Sequence, residues 1–423
     1  MVLHASFFIL PASVFSGAQS DEYFILMVEK DTFRYFSGLI NRSNGLIPDS
    51  SRQESPASIA AQGFGMASLC IGAQRGWITR DAAYRLILTG LKTFRDVLDN
   101  EHGFYYHFID MKTGRRVWDC ELSSIDTALF IAGALTAGEY FKGTEIEKIA
   151  NELYERIDWP WMLNGRKILC MGWKPDKGFL PYYWDSYSEL MLLYALAIGS
   201  PTHPIPEESW DAWERPVGKY GGKEFIYCQT GSLFVYQFSH AWIDFRGKRD
   251  KYADYWENSV RATYANRDYC IDRAGDYADF DENMWGLSAC IGPDGYKGYG
   301  GGPGNPLCDG TLVPSTVAGS IPFAPKLCIS TLRNMYDLHN NKLYGQYGFK
   351  DSFNPGIDWW TEECLGIDSG ITLLMIENYE TGFVWNYFMK HPAVQRWLSL
   401  CGFSETTGYE AGKPKKRKAG SGR

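Results

Sequence analysis

The chain has 423 residues, of which 45% are hydrophobic and 22% are charged. These proportions are typical of a packed globular protein and exclude a largely disordered chain. The formal net charge is −8, even though residues 413–423 contain six basic residues and no acidic one. The acidic remainder argues against nucleic acid or an anionic membrane surface as a partner.

The two ends of the chain differ from its body. An apolar stretch over residues 5–15 precedes Ser16, Gly17 and Ala18, which are typical of a signal-peptide cleavage site. Pro11 interrupts this stretch and no basic residue precedes it, so a truncated or poorly chosen start is the alternative. We predict a signal peptide or disordered segment at 1–19, a basic disordered tail at 406–423, and a periplasmic or secreted protein, with the cytoplasm as the alternative.

Helical periodicity dominates the body of the chain. Apolar spacing near 3.6 residues predicts helices over residues 21–40, 58–76, 79–99, 123–141, 144–156, 183–198, 251–266, 322–338, 370–379 and 382–400. Residues 104–118, with a Lys-Thr-Gly turn, predict a short β-hairpin. Long loops rich in glycine and aromatic residues, above all 290–314, separate the helices. The pattern predicts one all-α domain over 20–405, a closed double ring of paired helices with a hairpin insertion and long rim loops.

Aromatic residues make up 16% of the chain, and many of them adjoin glycine, aspartate or asparagine. Aromatic rings pack on the C–H faces of sugars, so this placement favours a saccharide cleft, whereas the alternative is that the rings fill a large core. The ten cysteines form no C-x-x-C pair, which excludes a zinc ribbon or a thioredoxin-like motif. We predict no metal and no cofactor.

Cleavage of a glycosidic bond requires one protonated carboxyl group and one carboxylate, so acids in aromatic surroundings are the candidates. Glu121 stands at a helix start, where it also suits the helix dipole. Asp126 falls inside an apolar helix and must be paired or functional. Asp185 and Glu189, four residues apart beside Trp184 and Tyr187, are predicted to share a helical face, with capping and exposure as the alternative.

Three further segments supply candidates. His240 and Asp244 are also four residues apart and flank Trp242; they suit hydrogen bonding to substrate, or Asp244 pairs with Arg246. Glu282, Trp285 and Asp309 lie in or beside glycine-rich loops, which fit sugar subsites or ordinary turns. Asp368 lies on a turn at the start of an apolar helix, where it is a candidate base or an N-cap.

These segments, in this order, resemble the bacterial glycoamylase-like family that includes endo-β-1,2-glucanases and related β-1,2-glucooligosaccharide enzymes. The resemblance covers residues 31–391 and rests on residues 44–49 (NGLIPD), 124–129 (SIDTAL), 187–189 (YSE), 237–240 (QFSH), 242–246 (WIDFR) and 376–379 (IENY).

The resemblance implies an (α/α)6 barrel that hydrolyses a β-glucan with inversion, most directly β-1,2-glucan or its oligosaccharides. We also predict a monomer. The resemblance implies Glu189 as the general acid and Asp368 as the general base, although Glu121 or Asp126 is an alternative acid. The implied substrate-binding residues are Glu121, Asp126, Trp184, Asp185, Tyr187, His240, Trp242, Asp244, Glu282, Trp285 and Asp309. A β-1,2-glucosyltransferase, an exo-acting glucosidase and a non-catalytic glycan-binding protein are the alternative functions.

Overall fold

A computed structural model describes residues 20–277 and 279–406. Within them the chain forms fourteen α-helices, and the prediction of a predominantly helical protein is confirmed. The helices are α1 Asp21–Leu39, α2 Ile59–Gln74, α3 Arg80–Asp96, α4 Ser124–Tyr140, α5 Glu145–Glu155, α6 Trp159–Leu163, α7 Met191–Gly199, α8 Phe238–Trp242, α9 Tyr255–Asp272, α10 Pro314–Gly319, α11 Pro325–Leu343, α12 Gly366–Thr381, α13 Phe383–Phe388 and α14 Pro392–Leu400.

Short antiparallel strands connect the helices in the described residues and form eight small sheets, one of three strands (β5–β6–β7) and seven of two. The strands are β1 Ala57–Ser58, β2 Asn100–Glu101, β3 Phe104–Tyr105, β4 Phe108–Ile109, β5 Leu122–Ser123, β6 Gly172–Lys174, β7 Gly178–Phe179, β8 Val217–Tyr220, β9 Lys223–Ile226, β10 Lys248–Arg249, β11 Ala289–Gly292, β12 Gly295–Gly298, β13 Tyr344–Gly345, β14 Gly348–Phe349, β15 Phe353–Asn354, β16 Trp359–Trp360 and β17 Ser404–Glu405. The two-stranded sheets pair β1 with β4, β2 with β3, β8 with β9, β10 with β17, β11 with β12, β13 with β14 and β15 with β16.

Side-chain caps set the starts of the first helices. Ser58 accepts a hydrogen bond from the backbone N–H three residues later at the start of α2, and Thr79 and Ser123 do the same for α3 and α4. Each cap satisfies a backbone donor that the helix itself leaves unpaired. The predicted starts of these helices therefore lie within one residue of the observed ones.

The helices form an inner and an outer layer. In α2 the residues from Ile59 to Gly72 are all buried, and α4 and α7 are buried almost throughout, as expected of helices covered on every side. Helices α3 and α5 bury only one face, which is typical of an outer layer. Helices α2 and α4 cross at Gly63 and Gly133, where a Cβ atom on either would lie 2.0 Å from backbone oxygen.

The predicted helix over 183–198 is wrong in its first half, because helix α7 begins only at Met191. Upstream, Tyr183 forms a β-bridge with Cys170, and the Tyr187 N–H donates to the Glu214 carbonyl at 2.9 Å. These long-range backbone bonds replace the helical ones. Asp185 and Glu189 therefore do not share a helical face.

Two other local predictions need correction. Helix α8 ends at Trp242, so His240 and Asp244 also lack a common helical face. The hairpin predicted over 104–118 forms only over 108–117, where a bridge joins Ile109 to Arg116 and the Val117 N–H donates to the Phe108 carbonyl at 3.1 Å. The first predicted residues form β3, which pairs with β2 instead. The Lys-Thr-Gly turn does form, and the Asp110 carboxylate accepts hydrogen bonds from its backbone.

The 290–314 segment contains the β11–β12 hairpin, which the sequence did not predict, with Ala289 opposite Gly298 and Gly292 opposite Gly295. In the described part of the chain, no helix combines the length and apolar character needed to cross a membrane. The predicted signal segment and all but the first residue of the predicted tail lie outside the described residues. The domain boundaries at 20 and 405 stay a prediction.

Candidate active site

A cavity of about 690 Å³ lies at the N-terminal ends of the inner helices. Its wall includes residues at or just before the starts of α2, α4, α7 and α12, together with loops from distant parts of the chain. The volume lies within the range of small-molecule sites. The acidic wall residues are Asp49, Asp126, Glu189 and Glu363, and the aromatic ones are Phe108, Trp118, Phe234, Phe238 and Tyr296.

Glu189 lies on the cavity wall two residues before α7. Its backbone carbonyl accepts a hydrogen bond from the Ser239 hydroxyl at 2.7 Å, and Ser239 in turn accepts from the Leu192 N–H at 3.0 Å. These bonds hold the turn that presents the carboxyl group. Burial, with a smaller contribution from the Asp126 charge, raises the pKa of Glu189 to about 7. A large fraction of Glu189 is therefore protonated in slightly acidic solution.

His107, which the sequence did not indicate as a site residue, lies between the carboxyl groups of Glu121 and Asp126. The Nδ1 atom of His107 lies 3.0 Å from Glu121, and its Nε2 atom lies 3.6 Å from Asp126. Burial favours the neutral form of His107. The negative charge of Asp126, followed by the hydrogen bond and charge of Glu121, outweighs this effect and raises the pKa of His107 to about 9. The hydrogen bond from His107 lowers the pKa of Glu121. The imidazolium thus keeps Glu121 in its charged form.

Ligand atoms of His107, Glu121 and Asp126 lie within 4.8 Å of one another, which is close enough to hold a metal ion. A doubly protonated imidazole between two carboxylates has no lone pair for a metal. An ion-paired network explains these three side chains without a bound ion. The absence of a metal stays a prediction.

Asp49 and Glu363 bring two further carboxyl groups to the cavity. Burial raises the pKa of Asp49 to about 6, an effect that the His107 charge opposes. The Asp49 carbonyl accepts the Gly366 N–H at 2.7 Å, which ties this loop to the start of α12. Glu363 accepts a hydrogen bond from Ser50 at 2.7 Å. The sequence indicates Asp49 only as part of the NGLIPD motif and gives no signal for Glu363.

Asp368 lies in the first turn of α12, in a pocket of about 10 Å³ next to the large cavity. Leu365 borders both spaces. The Ser315 hydroxyl donates to Asp368 Oδ1 at 2.9 Å, and Asp351 lines the same small pocket. Burial raises the pKa of Asp368, while hydrogen bonds from Asp351 and Ser315 oppose the rise.

Trp118 lies on the cavity wall with 65% of its surface accessible. Its φ is +56° and that of Asp119 is +49°, a conformation that side chains rarely adopt. Arg116 stabilises this turn by donating to the carbonyls of Asp119 at 2.7 Å and Cys120 at 2.6 Å. The Phe108 ring lies 5.0 Å from the indole. The turn therefore presents an aromatic platform to the cavity.

Five predicted substrate-binding residues lie in the core instead of on the cavity wall, namely Trp184, Tyr187, His240, Trp242 and Trp285. Their burial contradicts the expected contact with substrate. His240 shows the physical reason: its Nε2 lies 3.0 Å from the Ser259 hydroxyl, and burial lowers its pKa to about 3, so it is a neutral core residue. These aromatic rings fill the core, which was the alternative reading of the composition.

Four predicted acids also lie off the cavity wall. Asp244 forms the alternative structural pair, with Arg246 donating to its two oxygens at 2.8 and 2.9 Å. Asp309 accepts a hydrogen bond from Tyr299 at 2.8 Å, and Asp185 and Glu282 are exposed. Of the predicted residues, Glu189 and Asp126 line the cavity, Glu121 adjoins it through His107, and Asp368 lies beside it.

The fold and the site define a helical protein whose inner helices begin around an acid-lined cavity. The family model named Glycoamylase matches residues 181–392, half of the chain. The chain belongs to this family, and the resemblance seen in the sequence motifs is confirmed.

Two of the relatives have names that describe hydrolases of β-1,2-glucan or its oligosaccharides. The exo β-1,2-glucooligosaccharide sophorohydrolase (non-reducing end) of Parabacteroides distasonis is 30% identical over 89% of this chain, and this chain spans 57% of that relative's length. A solved structure from Bacteroides uniformis is 32% identical, with a TM-score of 0.87 over 92% of this chain and 99% of that one. The endo-β-1,2-glucanase of Chitinophaga pinensis, solved with sophorotriose and glucose, is 28% identical, with a TM-score of 0.84 and coverage of 92% and 99%.

Proposed function

We propose that this protein is a glycoside hydrolase that cleaves β-1,2-glucan or its oligosaccharides. The observation that carries the proposal is Glu189, a carboxyl group whose pKa of about 7 suits a general acid, on the wall of a cavity that also holds carboxylates and an exposed indole. The names of the Parabacteroides and Chitinophaga relatives support the β-1,2 linkage.

We further propose that the two helical layers form the (α/α)6 barrel that the sequence resemblance implies, with long rim loops around the cavity. The fully buried α2, α4 and α7 and the half-buried α3 and α5 support this architecture. An arrangement with helix starts around one opening brings side chains from distant segments together at a cleft. The TM-scores of the solved relatives are consistent with a shared helical architecture.

The proposed roles are Glu189 as the general acid and Asp368 as the general base. Of the alternative acids, Glu121 is disfavoured because the hydrogen bond from His107 lowers its pKa. Asp126 is disfavoured because it lies beside the charged imidazole and accepts a hydrogen bond from Ser123. In an inverting reaction Glu189 protonates the leaving oxygen, while Asp368 takes a proton from the attacking water.

A neutral sugar polymer suits the charge of the site. Four carboxyl groups line the cavity against two cations, Arg52 and the His107 imidazolium, so the acids are in excess and an anionic uronate would meet repulsion. Hydroxyl groups of a glucan would instead donate to the carboxylates, and its C–H faces would pack on the indole.

Product analysis tests the proposal directly. Purified protein is incubated with linear β-1,2-glucan, sophorooligosaccharides, starch and laminarin, beside the variant Glu189→Gln and the control Glu208→Gln at an exposed position. We expect sophorose-series products from the wild type and the control, and at least about 100-fold less from Glu189→Gln.

The pattern of products separates the alternatives. If longer oligosaccharides appeared while the number of reducing ends stayed constant, the protein would be a glucosyltransferase. If glucose were the product in every case, the protein would be an exo-acting glucosidase. Binding of β-1,2-glucan without turnover would contradict the hydrolase proposal and favour a glycan-binding protein. Full activity in Glu189→Gln would move the acid to Asp126 or Glu121.

A further inference from the structure

Two buried carboxyl groups meet beside the cavity, and only one of them has a proposed role. Asp351 is 2% exposed and Asp368 is 8% exposed, and both line the small pocket between α12 and the segment after β14. Two carboxylates in a buried space repel each other and lose their hydration, so such a pair requires neutralisation.

The hydrogen bonds of the pair identify the oxygens that face each other. Asp351 Oδ2 accepts from the Ile291 N–H at 2.8 Å, and the Ser352 hydroxyl oxygen lies 3.2 Å from the same atom. Asp368 Oδ1 accepts from the Ser315 hydroxyl at 2.9 Å. The other two oxygens, Asp351 Oδ1 and Asp368 Oδ2, are buried and have no conventional donor in the described residues. A proton held between them satisfies both.

We propose that Asp351 is the positioning residue for Asp368: it retains one proton and donates it in a hydrogen bond to the Asp368 carboxylate. This inference rests on the proposed role of Asp368 as the general base. The bond keeps Asp368 ionised at a fixed orientation beside the cavity, as a base requires.

The electrostatics assign the proton to Asp351. Burial, followed by the charge and hydrogen bond of Asp368, raises the pKa of Asp351 well above its usual range. The hydrogen bond from Asp351 has the opposite effect on Asp368 and lowers its pKa against the influence of burial. Asp351 is therefore the donor and Asp368 the acceptor.

No other described group neutralises the pair. Lys350 lines the same pocket, but its Nζ atom donates to Glu362 at 2.6 Å. The thiols of Cys290 and Cys364 and the phenol of Tyr296 have raised pKa values and are neutral. The remaining titratable groups whose charges act on these three side chains are Asp49 and Asp309, which are acids and add no positive charge. The cationic His107 acts on Asp49 and not on the Asp351–Asp368 pair. A retained proton is the available neutralising charge.

Asp351 also connects the proposed base to a wall of the cavity. Its acceptor bond to the Ile291 N–H joins it to strand β11, and Ser352 donates to the carbonyl of the same residue. Ile291 and Tyr296 of the β11–β12 hairpin line the cavity. The orientation of Asp368 is thereby fixed relative to the substrate wall.

Variants at position 351 separate the proton donor from the bulk of the side chain. Asp351→Asn keeps an N–H donor toward Asp368 and an acceptor for Ile291, whereas Asp351→Ala and Asp351→Leu remove both. Asp337→Asn, at an exposed position of α11, is the matched control. The pH dependence of kcat and KM on β-1,2-glucan is measured for each, with circular dichroism to verify folding.

We expect Asp351→Asn to keep the acid limb of the wild type and to lose less than about tenfold in kcat. In Asp351→Ala and Asp351→Leu the loss of the donor raises the pKa of Asp368. Their acid limb should move upward by about one pH unit, and kcat should fall by about 10- to 100-fold with little change in KM.

An unchanged acid limb in the folded Ala or Leu variant would overturn the inference. So would an Asn variant as impaired as Ala, because Asn retains the donor. Failure of the proposed function has a different signature: the wild type would lack activity on β-1,2-glucan, or Asp368→Asn would remain fully active. Either of those results would reject the proposed function independently of the pH profiles of the position-351 variants.

Discussion

At the residue scale, Glu189 links burial to a pH dependence. A general acid acts in its protonated form, so activity should fall as pH rises through the pKa of about 7. We expect an alkaline limb near pH 7 in the wild-type kcat/KM profile. Glu189→Gln cannot donate a proton, and its residual activity should lack this limb.

The exposed Glu208→Gln variant is the control for the Glu189 profile and should show the wild-type limb. The profile is measured from pH 5 to about 9 on sophorooligosaccharides. A limb of the same shape in Glu189→Gln would assign it to another group and would contradict the role of Glu189.

His107 makes a prediction about stability. Its pKa is about 9 in the folded protein and near 6.5 when unfolded, so its ion pairs stabilise the fold fully below pH 6.5. This contribution disappears as pH rises through 9. Because the side chain is 28% exposed, we expect on the order of 2 kcal/mol.

The measurement for His107 is urea unfolding of the wild type and His107→Gln at pH 6 and at about pH 10. The two proteins should differ at pH 6 and converge at the higher pH. An equal difference at both pH values would show that His107 stabilises the fold by packing and not by charge.

At the element scale, the turn containing Trp118 is predicted to bind a sugar ring. Trp118→Ala removes the exposed indole without disturbing Glu189 or Asp368. We expect KM for oligosaccharides to rise by about 5- to 20-fold with little change in kcat, because the platform contacts ground state and transition state alike.

Tyr23→Ala is the control for Trp118, since Tyr23 is an exposed aromatic residue of α1 that does not line the cavity. It should leave KM unchanged. Initial rates over a range of substrate concentrations distinguish the two variants. An unchanged KM in Trp118→Ala would exclude the indole from substrate binding.

A buried ion cluster joins three helices. Arg75 follows α2, donates to Glu377 of α12 at 2.6 Å and lies 3.7 Å from Glu29 of α1. Burial, and then the charge of Glu377, raises the pKa of Glu29 well above its usual range. Glu29 is therefore protonated, and Arg75 neutralises the single charge of Glu377.

This cluster predicts unequal effects of two substitutions. Arg75→Met leaves the Glu377 charge buried without its partner and should lower the free energy of unfolding by about 3–5 kcal/mol. Glu29→Gln replaces a neutral carboxyl group and should cost less than about 1 kcal/mol. Urea unfolding at pH 7 tests both, and a Gln variant as unstable as Met would show that Glu29 is ionised.

The helices could be predicted where local signals determine them. Ser58, Thr79 and Ser123 cap their helices, and the observed starts lie within one residue of the predicted ones. The prediction failed at 183–190, where Tyr183, Trp184, Tyr187 and Leu190 recur at the spacing of a helical face. In the structure the backbone N–H groups of Trp184 and Tyr187 donate to the distant carbonyls of Leu169 and Glu214 instead of forming helical hydrogen bonds. The local sequence contains no signal for these long-range bonds.

The site could be predicted only in part for the same reason. Asp126 lies in the first turn of α4, and Glu189 lies two residues before α7. Each is an acid beside an apolar helical segment, a pattern that is visible in the sequence. Asp49, His107 and Glu363 come from loops that only the folded chain brings together. Conversely, Trp184 directly precedes Asp185 but is buried, because adjacency to a charged residue does not report exposure.

At the scale of the whole molecule, the cavity and the core follow from one arrangement. Small residues at Gly63 and Gly133 let α2 and α4 approach closely, and their starts lie side by side at the cavity wall. Helix N-termini carry partial positive charge, which stabilises carboxylates placed near them. The cavity can therefore hold several acids without an equal number of basic side chains.

The cysteines show that this core needs no covalent cross-links. All ten thiols are free and eight are buried, and burial raises the pKa of each buried one. Burial also raises the pKa of Cys308, and it raises that of Cys401 to about 12, so the order of reaction with a disulfide reagent follows access and not thiolate content. In the native protein the half-buried Cys308 and Cys401 should therefore react before the eight buried thiols. All ten should react in guanidinium chloride, and Tm should be the same with and without dithiothreitol. A lower Tm under reduction would reveal a disulfide and would mean that burial of the core is not sufficient to stabilise the chain.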